Sequence, residues 1–293
     1  MSQENERAGL AWALLGVASF SLTFPALRLA LQGLPPTFVG TGRAVFAAVC
    51  AAALLLATRQ PLPERRHWPA LAWVAVGVVA GFSWLSAEAL VHLSAVQAGL
   101  MAGLLPLATA AVGAWQAGER PPRTFWFAAI LGSVGVIAYA AGRGGALLGG
   151  GDWALLAAVL FAALGYAEGG RLARMMGGWQ VISWALVFAA PLLLIPAALN
   201  WPQHAVPLSA WLGFVYLALV SQWLGFFAWY RGMALAGVVR TSQVQLLQMF
   251  FTLAAAWALL GESVAWSTWL FALWVVAAVA IGRRVPMRVG SRT

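Results

Sequence analysis

The sequence predicts an all-α integral membrane protein: ten transmembrane helices forming two inverted five-helix repeats, with both termini cytoplasmic. Three observations predict it. Of 293 residues, 62% are hydrophobic and only 9% charged, whereas an ordinary soluble domain carries about 25% charged residues. So few charges cannot clothe a water-soluble core of this size. The apolar residues also fall into ten long runs, and the basic residues between the runs favour one side.

A helix needs about 20 residues to cross a hydrocarbon core about 30 Å thick. The first five runs that qualify are 9–31, 37–58, 68–91, 95–116 and 123–141; the second five are 152–169, 180–199, 208–230, 238–260 and 266–281. They are continuously apolar, without the alternation of barrel strands, so helices are expected. Residues 1–7 are polar and lead into the first run with no small-residue cleavage site. That pattern reads as a spanning helix rather than a removed signal peptide. The single cysteine, Cys50, lies inside an apolar run and forms no internal disulfide.

All 17 basic side chains are arginine. With the N-terminus inside, 14 of them fall in cytoplasmic segments, Arg143 alone lies in an outer loop, and Arg28 and Arg43 sit within helices. An excess of arginine in short loops marks the cytoplasmic side. The net charge of +9 is therefore topological, and the expected partners are a lipid bilayer and a small molecule, not nucleic acid.

The chain also repeats itself. Trp12-Ala13-Leu14-Leu15 returns as Trp153-Ala154-Leu155-Leu156, an offset of 141, and Gly118-Glu119 returns as Gly261-Glu262, an offset of 143. The agreement in register implies two halves, 1–145 and 146–293. Five helices is an odd number, so the second half enters from the opposite face. Inverted repeats of this kind build transporters, with the binding site near the midplane between the halves.

His92-Leu93-Ser94-Ala95, then Pro106, then Gly118-Glu119-Arg120 resembles the hallmark of the EamA half-repeat of the drug/metabolite transporter superfamily. The second half echoes it with Gly261-Glu262-Ser263 but has Met249 in place of the proline. Length, helix number and tryptophan content are similar to those of bacterial aromatic amino-acid exporters of the YddG type. The resemblance implies an exporter of the bacterial inner membrane and gives no substrate by itself.

The ninth span carries the clearest candidate site. Thr241, Gln245, Gln248 and Thr252 fall at i, i+4, i+7 and i+11, on one helical face among apolar neighbours. Amides facing lipid are costly, so this stripe is expected to face a cavity or to form a helix–helix seam. The corresponding face of the fourth span, Ala98, Ala102, Leu105 and Thr109, is nearly apolar.

In the eighth span, Gln222 and Trp223 lie near mid-depth, where an amide beside a ring suits a zwitterion with an aromatic side chain. Trp84 and Glu88 are one turn apart in the third span, and Tyr166 of the sixth completes the candidate set. Arg43 lies deep in the second span and needs a partner. Glu88 is the expected one, as a structural pair, an outer gate or a substrate contact. Glu119 and Glu262 are expected to cap the helices that follow them. Pro25, Pro106, Pro191 and Pro196 are expected to interrupt helix hydrogen bonding.

Other chemistry is missing. With no lysine there is no phosphate-binding loop, so no ATP hydrolysis is expected. One aspartate and three scattered histidines offer neither a dyad of aspartates nor a zinc site, so no cofactor or metal is expected. The function expected is secondary transport, most simply export of aromatic or bulky apolar amino acids by alternating access. The alternatives are a facilitator or exporter of other metabolites or drugs, and a polytopic enzyme acting on lipids. The missing carboxylate and histidine clusters count against the enzyme.

Overall fold

The structure, a computed structural model, describes residues 3–116, 127, 131, 134 and 149–282. Among these residues the chain is helical throughout and holds no strand. Its helices are α1 (Glu4–Ala30), α2 (Pro36–Ala57), α3 (Arg65–His92), α4 (Ala95–Gln116), α5 (Gly150–Met176), α6 (Gly178–Leu199) and α7 (Leu208–Ala236). They are followed by α8, made of Val238–Val244 and Leu246–Leu260, and by α9 (Trp266–Gly282). All of the expected fifth span but residues 127, 131 and 134 lies outside the described residues, as does the Gly118-Glu119-Arg120 motif, so α5 to α9 correspond to spans six to ten. The seven helices α1 to α7 are each long and apolar enough to cross a bilayer. This is a multi-pass membrane protein.

The helices approach closely where glycine removes the side chain. α1 lies along α7: a Cβ on Gly9 would sit 2.8 Å from the Ala236 nitrogen, and one on Gly16 3.0 Å from that of Trp229. α5 lies along α3 in the same way, with Gly77 placing a Cβ 2.5 Å from the Phe161 carbonyl oxygen. A shift of half the chain exchanges these two crossings. It also exchanges the packing of α4 on α5 with that of α8 on α1, while α2 and α6 pack on each other. Gly237, at φ 86°, ends α7 and lets the chain reverse into α8, a conformation that favours glycine.

The irregular stretches recur with the same period. α3 widens to a π-helix over Ala75–Phe82 and α7 over Tyr216–Leu224, with starts 141 residues apart, matching the repeat in the sequence. α4 tightens to a 3-10 turn over Ala102–Leu104, just before Pro106, and α8 is interrupted at Gln245. α1 is interrupted at Leu22, three residues before Pro25. Pro191 and Pro196 lie within an unbroken α6, so only two of the four expected prolines mark a visible break. Such interruptions free backbone groups, which membrane proteins tolerate where the chain faces protein or a cavity.

Candidate functional site

The polar stripe on α8 is buried along its length: Thr241, Gln245, Gln248 and Thr252 are each at most 9% exposed. The helix break falls on Gln245, where the Gln248 amide donates to the Gln245 carbonyl at 3.0 Å, a short-range bond that tightens the chain. Thr252 Oγ1 donates to the Ser21 carbonyl at 2.9 Å, beside the interruption in α1. Thr252 is thus part of a seam between α8 and α1. The other three differ. Thr241 Oγ1, both amide atoms of Gln245 and Gln248 Oε1 are buried with no hydrogen-bond partner among the described residues. Leaving such groups unmade costs about 1–3 kcal/mol each, which a structural seam gives no reason to bear.

A second polar group spans α2, α3, α6 and α7. Gln222 sits in the π-helical stretch of α7, and its Oε1 accepts from Ser83 Oγ at 2.7 Å while its Nε2 has no partner. Trp223 Nε1 donates to Ser183 Oγ at 2.9 Å. One turn beyond Ser83, Ser86 Oγ donates to the Ser83 carbonyl at 3.3 Å and accepts from Arg43 Nη2 at the same distance. Arg43 is wholly buried, with Nε and Nη1 unpaired.

The expected Arg43–Glu88 pair is not formed. Glu88 Oε1 instead accepts from Thr37 Oγ1 at 2.9 Å and Trp84 Nε1 at 3.1 Å. Both donors are nearer along their own helices, and they occupy the carboxylate. Trp84 is 39% exposed, so Trp84 and Glu88 form a cluster on the outside of the bundle, apart from Gln222.

One turn beyond Gln222 on α7, Phe226 belongs to a nest of rings. Tyr166 of α5 stacks on Phe20 with centroids 6.3 Å apart and meets Phe226 at 5.8 Å and Trp229 at 5.4 Å. Trp229 is fully buried and its Nε1 is unpaired. Such rings offer apolar area with a polar edge.

The two faces of the bundle carry different fastenings. On the face where α1 begins, Arg240 of α8 forms an ion pair with Glu6. A crevice of about 510 Å³ on that side is lined by Trp73, Trp115, Gln116, Leu164, Glu168 and Arg171. On the opposite face, both oxygens of Glu262 accept from the start of α4, from Ala95 N at 3.0 Å and Val96 N at 2.9 Å. Glu262 is therefore a cap, but for a helix of the other half rather than for the helix that follows it; Glu119 lies outside the described residues. A crevice of about 350 Å³ beside it is lined by Arg28, Gln32, Leu259, Leu260 and their neighbours. The first crevice uses the ends of α4 and α5, the second the ends of α8 and α1, which are equivalents in the two halves.

Among the described residues no three of His, Cys, Asp or Glu stand together as a metal site requires. The model of the EamA-like transporter family matches twice, at residues 7–140 and 149–282. The chain belongs to the EamA-like transporter family. The two matches begin 142 residues apart, between the offsets of the two sequence echoes. Among EamA relatives, the uncharacterized transporter YdeK of Bacillus subtilis (strain 168) is 43% identical over 272 residues, covering 92% of this chain and 95% of its own. A protein of Streptantibioticus cattleyicolor named as a "Probable terminal-alkyne amino-acid exporter" is 27% identical over 260 residues, covering 86% of this chain and 85% of its own. A solved crystal structure, 19% identical, superposes with a TM-score of 0.69 over 97% of this chain and 99% of its own, a likeness of fold. This EamA protein is a transporter of the membrane.

The candidate set left out Ser83, Ser86, Ser183 and Trp229. Ser83 and Ser86 did carry a signal, a pair of small hydroxyls at i, i+3 in an apolar helix. Trp229 carried none, because its burial depends on α1 and α5 closing over it.

Proposed function

We propose that this protein is a secondary transporter that exports amino acids with aromatic or bulky apolar side chains across the bacterial inner membrane by alternating access. Ten helices in two inverted halves, 1–145 and 146–293, with both termini in the cytoplasm, form the working unit. The observation that carries the reading is the set of unpartnered buried amides, Gln222, Gln245 and Gln248, together with a ring nest of Tyr166, Phe226 and Trp229 that begins one turn beyond Gln222 on α7. These groups suit a zwitterion with an aromatic side chain. A phosphorylated sugar would need two or more deep basic residues or helix N-termini, and Arg43 is the deep basic residue here.

The name of the Streptantibioticus cattleyicolor relative favours an amino acid and supports export over uptake. The opposed fastenings, Glu6–Arg240 on one face and Glu262 on the other, suit a molecule that opens each side in turn. The transport test is counterflow from liposomes loaded with labelled phenylalanine or tryptophan. Exchange of these amino acids supports the reading; exchange of triose phosphates without them would sink it. The topology test is cysteine labelling: residue 203 should react from outside, and residues 62 and 288 only after permeabilisation.

A further inference from the structure

A cation buried in an apolar bundle needs a counter-charge, and among the described residues Arg43 has none. Its guanidinium is wholly buried, Nη2 rests on the neutral hydroxyl of Ser86, and Nε and Nη1 have no partner. The acid nearest it in sequence pattern, Glu88, is engaged by Thr37 and Trp84. Other arginines of the described residues do hold acids: Arg66 with Glu64, Arg171 with Glu168 and Arg240 with Glu6. Arg28 rests on the Leu90 carbonyl and Arg231 lies over the Trp12 ring, but neither is fully buried; among the described residues Arg43 is the arginine that is.

The neighbouring free atom has the same polarity. Ser83 donates to Gln222 Oε1 and leaves Gln222 Nε2 unfilled. Ser83 and Ser86, three residues apart on α3, join the two side chains into one connected group. The group therefore presents three unfilled donor nitrogens, Arg43 Nε and Nη1 and Gln222 Nε2. A guanidinium presents its donors as a planar fork that matches two carboxylate oxygens. One guanidinium with a neutral amide balances a single negative charge, less than the charge of about −1.5 to −2 on a phosphomonoester. The α8 side is mixed: beside Gln245 Nε2 it holds unfilled carbonyl oxygens on Gln245 and Gln248, acceptors that suit an ammonium group.

We propose that Arg43 and Gln222, joined through Ser86 and Ser83, bind the carboxylate of the transported solute, so that the substrate must be a carboxylic acid or a zwitterion. This inference rests on the amino-acid reading above and adds to it the group that is recognised and the residue that recognises it. Arg43 then takes its counter-ion from the cargo, and the empty carrier is left with an unbalanced charge that favours reloading.

The experiment is competition against labelled phenylalanine in proteoliposomes, together with ligand-induced thermal stabilisation of the purified protein. Unlabelled phenylalanine is compared with phenethylamine, which lacks the carboxylate, with phenylalanine amide, and with 3-phenylpropionate, which lacks the ammonium. Wild-type protein should bind phenethylamine and the amide about tenfold or more weaker than phenylalanine. Arg43→Gln should lose that discrimination, with phenylalanine falling to the level of phenethylamine, and Arg43→Lys should recover part of it. Should Arg43→Gln fail to fold, the wild-type series alone decides. If phenylalanine is transported and phenethylamine competes equally well, the carboxylate assignment is overturned while the amino-acid reading stands. If no amino acid is carried, both fail.

Discussion

α4 and α8 occupy corresponding places in the two halves and are interrupted at corresponding points, at Ala102–Leu104 and at Gln245. Their buried faces nevertheless share little chemistry. α4 presents Ala98, Ala102, Leu105 and Thr109, whereas α8 presents Thr241, Gln245, Gln248 and Thr252. In α4 the break accompanies Pro106, which lacks the amide hydrogen that would bond the Ala102 carbonyl. α8 has no proline there, and its break coincides with the polar stripe. The interruption is thus a property of the repeat, kept in both copies, while the polar side chains were placed on one. In the function proposed above, the α8 stripe and Gln222 of the second half read the solute together with Arg43 of the first.

The largest effect is expected where the two halves meet. Gly77→Val would drive a side chain against the Phe161 carbonyl and Gly165 backbone, positions where a Cβ already lies 2.5 and 2.8 Å away. Overpacking of this kind costs about 1–3 kcal/mol or more, and folded yield in detergent should collapse. Normal yield would mean that the α3–α5 crossing is looser than its α1–α7 counterpart, breaking the symmetry of the frame.

Next are the amides. Gln245→Leu should cut transport by a few-fold to tenfold, the loss of a solute hydrogen bond worth about 0.5–1.5 kcal/mol. Thermal stability should hold or rise, because a buried group with no partner has been removed. Thr109→Val, the nearest change on α4, should leave transport within about twofold, since one neutral hydroxyl contributes less than an amide. A larger loss at Thr109 than at Gln245 would reverse the roles of the halves.

A smaller effect is expected at Glu262. Glu262→Gln keeps a hydrogen-bonding oxygen for the start of α4 but removes the charge that favours a helix N-terminus, worth about 0.3–1 kcal/mol. The variant should open the Glu262 face more readily, read as faster labelling of a cysteine placed at Gln32. Unchanged labelling would show that the cap fastens nothing that moves.

Much of the frame was legible in the sequence. The apolar runs, the half-chain echo of Trp12-Ala13-Leu14-Leu15 and the spacing of the α8 stripe are one-dimensional patterns, and helix geometry turns them into faces without tertiary information. What could not be read depended on distant neighbours. Nothing local in Ser242-Gln243-Val244-Gln245 breaks a helix, so the interruption at Gln245 was invisible. The pairing of Arg43 with Glu88 followed from depth alone. It failed because Trp84, one turn from Glu88, and Thr37 on the facing helix took the carboxylate first. Glu262 was recognisable as a cap, but which helix it caps depends on how the halves pack.

The division of the α8 stripe is the claim most open to direct attack, because Gln248 and Thr252 lie one turn apart on the same face. Gln248 Oε1 has no partner, while Thr252 Oγ1 is committed to the Ser21 carbonyl. The decisive measurement is phenylalanine affinity and melting temperature for Gln248→Leu and Thr252→Val, side by side in purified protein. Gln248→Leu should weaken binding several-fold at unchanged melting temperature. Thr252→Val should bind as the parent does and melt slightly lower, by the equivalent of about 0.6 kcal/mol for one interhelical hydrogen bond. If Gln248→Leu lowers the melting temperature and leaves affinity untouched, the whole stripe is a seam, and the second half does not read the substrate.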